Sequence, residues 1–101
     1  MNVTVVEGDL PAQLADELRA SGTVAVDTET SGLDWATDRL WICQLYAPAC
    51  GAVILRNVVD RAPHFCDLIA SEEVLKVFHF APFDLRFLEA QWHTSPRRIA
   101  C

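Results

Sequence analysis

The sequence predicts an α/β fold, a mixed sheet with helices packed on it. Three observations carry this. The segments run β, α, β, β, β, α, β, α, then the start of another strand, with hairpin-linked strands first and β–α alternation after. The run from Arg39 to Ala47 is apolar on both faces through Leu40, Trp41, Ile42, Leu45 and Tyr46, as a sheet covered on two sides requires. Hydrophobic residues make up 51% of the 101 residues, enough to build a core and too many for a disordered chain.

Each element has its own signal. Val3 to Val6 is a short β-branched strand. Asp9 is placed to cap a helix running to about Ala20, with Leu10, Leu14 and Leu18 at i, i+4, i+8; Ser21-Gly22 stops it. In the strand from Thr23 to Glu29, Val24 and Val26 face one way and Ala25, Asp27 and Glu29 the other. Ser31-Gly32 turns the chain. The strands Arg39 to Ala47 and Ala52 to Leu55, joined by the turn Pro48 to Gly51, pair as a hairpin. A helix with Phe65, Leu68 and Ile69 on one face follows, then a strand from Val74 to His79. Pro82 opens a helix that runs to about Trp92, and Arg97 to Ala100 begins another strand.

Composition excludes some functions. The net charge is −6, with 14 acidic against 8 basic residues, which argues against non-specific duplex binding through bulk electrostatics. No apolar run is long enough to span a membrane, and the N-terminus lacks a signal-peptide pattern, so a cytoplasmic setting is expected. Cys43, Cys50, Cys66 and Cys101 form no CxxC pair. Cys43 and Cys66 sit in apolar segments and read as free buried thiols, not zinc ligands.

The chemistry concentrates in carboxylates. On a strand, Asp27 and Glu29 project from the same face, roughly 6–7 Å apart. Like charges so close repel, and a divalent cation that favours carboxylate oxygens relieves the conflict. The bland alternative is a solvated strand end. Asp84 lies in the first turn of its helix. There it complements the helix dipole by about 0.3–1 kcal/mol, a sufficient structural reason by itself. Yet its neighbours Phe80, Phe87 and Leu88 are apolar, and a carboxylate bordering a buried face needs a partner.

Together these residues resemble a family. Asp27-Thr28-Glu29-Thr30-Ser31-Gly32-Leu33 (motif one, 27–33) is similar to the first motif of the DEDD exonucleases. The run from Lys76 to Leu88, containing Phe83-Asp84 (motif two, 76–88), is similar to their second. The ribonuclease D-like enzymes are the subgroup it most resembles, and Arg39 to Leu45 looks like their intervening strand. The resemblance implies a ribonuclease H-like mixed sheet with flanking helices, incomplete at the C-terminus. It implies that Asp27, Glu29 and Asp84 hold two divalent cations, Mg²⁺ or Mn²⁺, about 3.5–4 Å apart. The implied activity is hydrolysis of nucleic acid from a single-stranded 3′ end to nucleoside 5′-monophosphates, with RNA favoured over DNA. Leu33 matches a position that packs on the terminal base, Thr30 lies in the stretch contacting the 3′ nucleotide, and Phe83 is the aromatic beside the catalytic acid. For Leu33 and Phe83, ordinary core packing is an equal alternative. His79 is expected near the site at its strand end. His64 and His93 have no evident partner and are expected at the surface.

Two departures stand out. Related proofreading domains have Asn where this chain has Phe80. The family's third motif, with a general-base Tyr or His and a fourth carboxylate, has no counterpart after Asp84. Residues 1–101 therefore read as a single partial exonuclease domain, either a piece of a longer enzyme or a natural short protein. The expected consequences are weak or absent activity from this chain alone and self-association through an incompletely covered sheet. The alternative function is a non-catalytic nucleic-acid-binding or assembly module.

Overall fold

The computed structural model describes residues 2–101. The order is β1 (Val3–Glu7), α1 (Ala12–Ala20), β2 (Thr23–Thr30), β3 (Leu40–Ala47), β4 (Gly51–Arg56), α2 (Pro63–Ala70), β5 (Leu75–Phe78), α3 (Ala81–Trp92) and β6 (Ile99–Ala100). The strands form one mixed six-stranded sheet in the order β1-β4-β3-β2-β5-β6. β3 runs antiparallel to β2 and β4, while β1–β4, β2–β5 and β5–β6 are parallel. The expected hairpin is present, with Ala47 opposite Gly51. Gly51 has φ +72°, and a Cβ there would lie 2.6 Å from the Asn2 carbonyl oxygen. Only glycine closes the turn against β1.

One contiguous core lies between the helices and one face of the sheet. Val24, Val26, Cys43, Leu45, Val53, Leu55 and Phe78 meet Leu18, Phe65, Leu68, Ile69, Phe87 and Leu88 there. The free thiols of Cys43 and Cys66 are buried, as expected. Lys76 is buried on this side too, its ammonium donating to the Ser71 carbonyl at the end of α2. Burial, more than the nearby Arg98 charge, lowers its pKa to about 8.

The other face of the sheet is open. Val3, Ala52, Tyr46, Ala25 and Val77 form a register row across it, and Val3, Val5 and Tyr46 are exposed. The apolar pattern of β3 on both faces suggested cover on two sides, but the buried positions Cys43, Leu45 and Ala47 all face the core while Trp41 and Tyr46 meet solvent.

Asp9 corrects a second expectation. It does not cap α1, whose N-cap is Pro11 with no side-chain bond. Its carboxylate accepts from the N–H groups of His64 (2.9 Å) and Phe65 (3.0 Å), at the start of α2. The reason is local to α2: Pro63 has no N–H to offer and Ala62 no side-chain acceptor, so the next two orphan donors are met from another segment. His64 in turn has a partner, its Nδ1 lying 2.7 Å from the Leu10 carbonyl oxygen. His93 Nε2 lies 3.4 Å from Asp60. Both rings are about half exposed.

Candidate active site

β5 ends opposite Val26, so the outer edge of β2 from Asp27 onward has no strand beside it. The chain turns there through His79 and Phe80 into α3. The candidate site thus lies off the carboxyl ends of two parallel strands, the usual place for ligands in open α/β sheets. Asp84 occupies the first turn of α3 and is buried. The Thr28 hydroxyl, itself buried on the core face of β2, donates a short hydrogen bond to Asp84 Oδ1. Burial pushes the Asp84 carboxyl above its ordinary pKa; the Thr28 bond opposes this, Asp27 adds to it and His79 opposes it. The Cys43 thiol, opposite Thr28 in register, is raised well above its usual value by burial and then by Asp84 and Asp27. Asp27 and His79 thus both lie within electrostatic reach of Asp84.

Asp27 and Glu29 project from the opposite face of β2 to Thr28, toward solvent. Asp27 Oδ1 accepts from the Thr28 N–H (3.0 Å), and Asp27 lines a recess of about 140 Å³ on the open face with Ala25, Gln44, Tyr46 and Ala52. The three carboxylates therefore flank the second half of β2. Among the described residues, no three His, Cys, Asp or Glu side chains converge closely enough to cage an ion. Their chemistry nevertheless suits a hard divalent cation: they are oxygen donors, one of them desolvated, and none pairs with Lys, Arg or His among the described residues.

The remaining expected residues separate clearly. Leu33 is 85% exposed, so core packing does not account for it. Phe83 is half-buried against the core, its ring 5.2 Å from that of Phe87, so core packing does account for it. The Thr30 hydroxyl donates to the Gly32 carbonyl (2.6 Å), holding the turn that leads to Leu33. A Cβ on Gly32 would collide with the Asp38 carboxylate, which accepts from the Asp34 N–H (2.9 Å). His79 is exposed beside Phe80. Phe80 is left-handed, with φ 56° and ψ 63°, and 67% exposed. That backbone conformation is one Asn tolerates better than Phe.

Sequence reasoning missed Thr28, which sits inside motif one and alternates onto the core face. It also missed Gln91, whose side chain binds the loop after β2. Its one signal was spacing, seven residues after Asp84 and so on nearly the same helix face.

Among the described residues, no helix is long and apolar enough to cross a membrane. No curated protein matches the sequence. Solved structures do. NrnC of Brucella melitensis bound to pGG is 30% identical with a TM-score of 0.88, over 100% of this chain and 49% of that one. The same protein with bound Mg²⁺ is 30% identical with a TM-score of 0.86, over 98% of this chain and 49% of that one. RNase D of Escherichia coli, an exoribonuclease involved in structured RNA processing, shares the fold at 18% identity, with a TM-score of 0.81, over 98% of this chain and 27% of that one. The fold is thus ribonuclease H-like, and the chain spans about half the length of the NrnC chains it matches. The sequence also matches the 3′-5′ exonuclease family. That match spans residues 2–101, so the strand carrying Asp27 and Glu29 and the helix carrying Asp84 both fall inside it, and the chain belongs to the 3′-5′ exonuclease family.

Proposed function

We propose that residues 1–101 form a single partial exonuclease domain that binds the 3′ end of single-stranded nucleic acid and supplies three of the acids for its hydrolysis to nucleoside 5′-monophosphates. The observation that carries this is Asp84, a buried carboxylate held by Thr28 beside the Asp27–Glu29 strand, with no cation paired to it among the described residues. Burying such a charge is costly without a compensating partner, and a site that retains it has a use for the charge.

In this reading Asp27, Glu29 and Asp84 hold two divalent cations, Mg²⁺ or Mn²⁺. When bound, the ions supply activation of water and charge neutralisation at the phosphate. Thr28 keeps Asp84 aimed at the strand. Thr30 shapes the turn and Leu33 presents an exposed apolar surface to the terminal base. His79, exposed beside Asp84, meets the phosphate side, and Phe83 braces the first turn of α3 from the core. RNA is the favoured strand, on the likeness to RNase D, and the cytoplasm is the setting that unpaired buried thiols suit.

Mn²⁺-dependent release of 5′-monophosphates from matched 3′-labelled RNA and DNA oligonucleotides tests the reading, with Asp27→Ala as control. The chain alone is expected to be slow, and faster on RNA. Metal-independent release, or release unchanged in Asp27→Ala, would refute it.

A second reading, a non-catalytic binding or assembly module, is favoured by the carboxylates flanking β2 without caging an ion. Nucleic-acid binding without metal-dependent release supports it. In either case the open apolar sheet face is expected to drive self-association.

A further inference from the structure

The loop from Ser31 to Arg39 carries Leu33 and is held mostly by itself. The Ser31 N–H donates to the Arg39 carbonyl (2.9 Å) and the Arg39 N–H to the Ser31 hydroxyl (2.8 Å). The Asp34 N–H donates to Asp38, and the Ala36 N–H to Asp34 (both 2.9 Å). Two side chains of α3 tie this unit to the rest of the protein. Arg86 lies over the Trp35 ring, 5.5 Å from its centre. Gln91 does more. Its Oε1 accepts from the Leu40 N–H (2.8 Å), and its Nε2 donates to the carbonyls of Trp35 (3.2 Å) and Asp38 (2.5 Å).

Leu40 is buried at a register shift. Thr30 pairs with Leu40 and Glu29 with Ile42, leaving Trp41 as the extra residue of a bulge. A bulge disrupts the ladder locally, and Gln91 supplies the acceptor that the Leu40 N–H needs. One amide thus clamps the loop at three backbone points, from the helix that carries Asp84 two turns earlier.

We propose that Gln91 is the positioning residue that holds the Leu33 loop against α3, so that affinity for a single-stranded 3′ end depends on it. This rests on the nucleic-acid reading above. Gln91 touches neither the carboxylates nor the exposed side of Leu33; it acts by keeping the loop ordered before the strand arrives, which spares the entropy of ordering it on binding.

The test is a double-mutant cycle with Leu33→Ala, read as the affinity of a fluorescent single-stranded RNA oligonucleotide with Ca²⁺ in place of Mg²⁺. Gln91→Met keeps the length and removes every polar contact. It is expected to weaken binding about tenfold in the wild-type background and less than about twofold beside Leu33→Ala, since the two act through one element. Amide hydrogen exchange should quicken across residues 31–40 and stay unchanged in β2, in β3 from Trp41 onward and in the body of α3. Gln91→Glu keeps the acceptor for Leu40 but loses both donors, so it should not restore affinity; it also serves if the Met variant folds poorly. Equal losses in both backgrounds would make Gln91 merely structural and overturn the proposal. So would unchanged affinity in Gln91→Met while the wild type binds, and that result leaves the nucleic-acid reading standing. Absence of binding by the wild-type chain overturns both.

Discussion

Replacing Asp84 by Asn should make this protein more stable, not less. The wild-type carboxylate is buried, and burial, the largest influence on it, raises its pKa above the ordinary 3.8. Asn keeps the shape and an oxygen that accepts from Thr28, while removing a desolvated charge within reach of Asp27. Removing that charge is expected to gain about 0.5–2 kcal/mol, the usual size of a single stabilising substitution. At about 4–8 °C per kcal/mol for a domain of this size, a rise of several degrees in Tm is expected. The pH dependence gives the sharper criterion. A raised pKa means that the folded state holds the proton more tightly than the unfolded chain. The contribution of Asp84 to wild-type stability is therefore greatest below 3.8 and falls as pH rises through the folded value, levelling above it. The Asn variant lacks this loss, so its advantage should be absent at low pH and complete at neutrality. Urea denaturation of both proteins in chelator, from about pH 3.5 to pH 7.5, measures it. Adding Mg²⁺ should then stabilise the wild type by about 2.7 kcal/mol at a hundredfold excess over Kd, and the variant by less. A variant less stable than wild type at neutral pH, or an advantage independent of pH, would refute the reasoning.

Three further outcomes follow from particular contacts. Asp9→Ala should cost about 1–2 kcal/mol in urea melts, because it strips the cap from α2; Asp9→Asn, which retains one acceptor, should cost less. Phe80→Asn should gain up to about 1 kcal/mol by relieving the left-handed backbone; a lower Tm would show instead that the exposed ring makes contacts worth more than the strain. Val5→Lys combined with Tyr46→Lys should lower the concentration-dependent mass seen by light scattering, since both side chains lie on the open sheet face; an unchanged mass would place any self-association elsewhere.

The sequence by itself determined the order of elements, the β3–β4 hairpin, the placement of Asp27 and Glu29 on one face of a strand, and Asp84 in the first turn of a helix. These are consequences of local periodicity and turn chemistry, and the two motifs containing the acids also marked the family. Only the tertiary structure decided the rest. Asp9 binds α2 and not α1 because the unmet donors beside Pro63 come near it in space. Helices cover one face of the sheet only, which an apolar pattern cannot reveal, because side chains alternate whether or not anything packs on them. Leu33 stands exposed on a loop held by Asp38 and Gln91, over contacts from four to more than fifty residues apart. The opposite orientation of Thr28 to Asp27 and Glu29 follows from strand alternation, but that it would grip Asp84 depended on where α3 docks. Local rules specify which side chains share a face; packing specifies which of those faces meet.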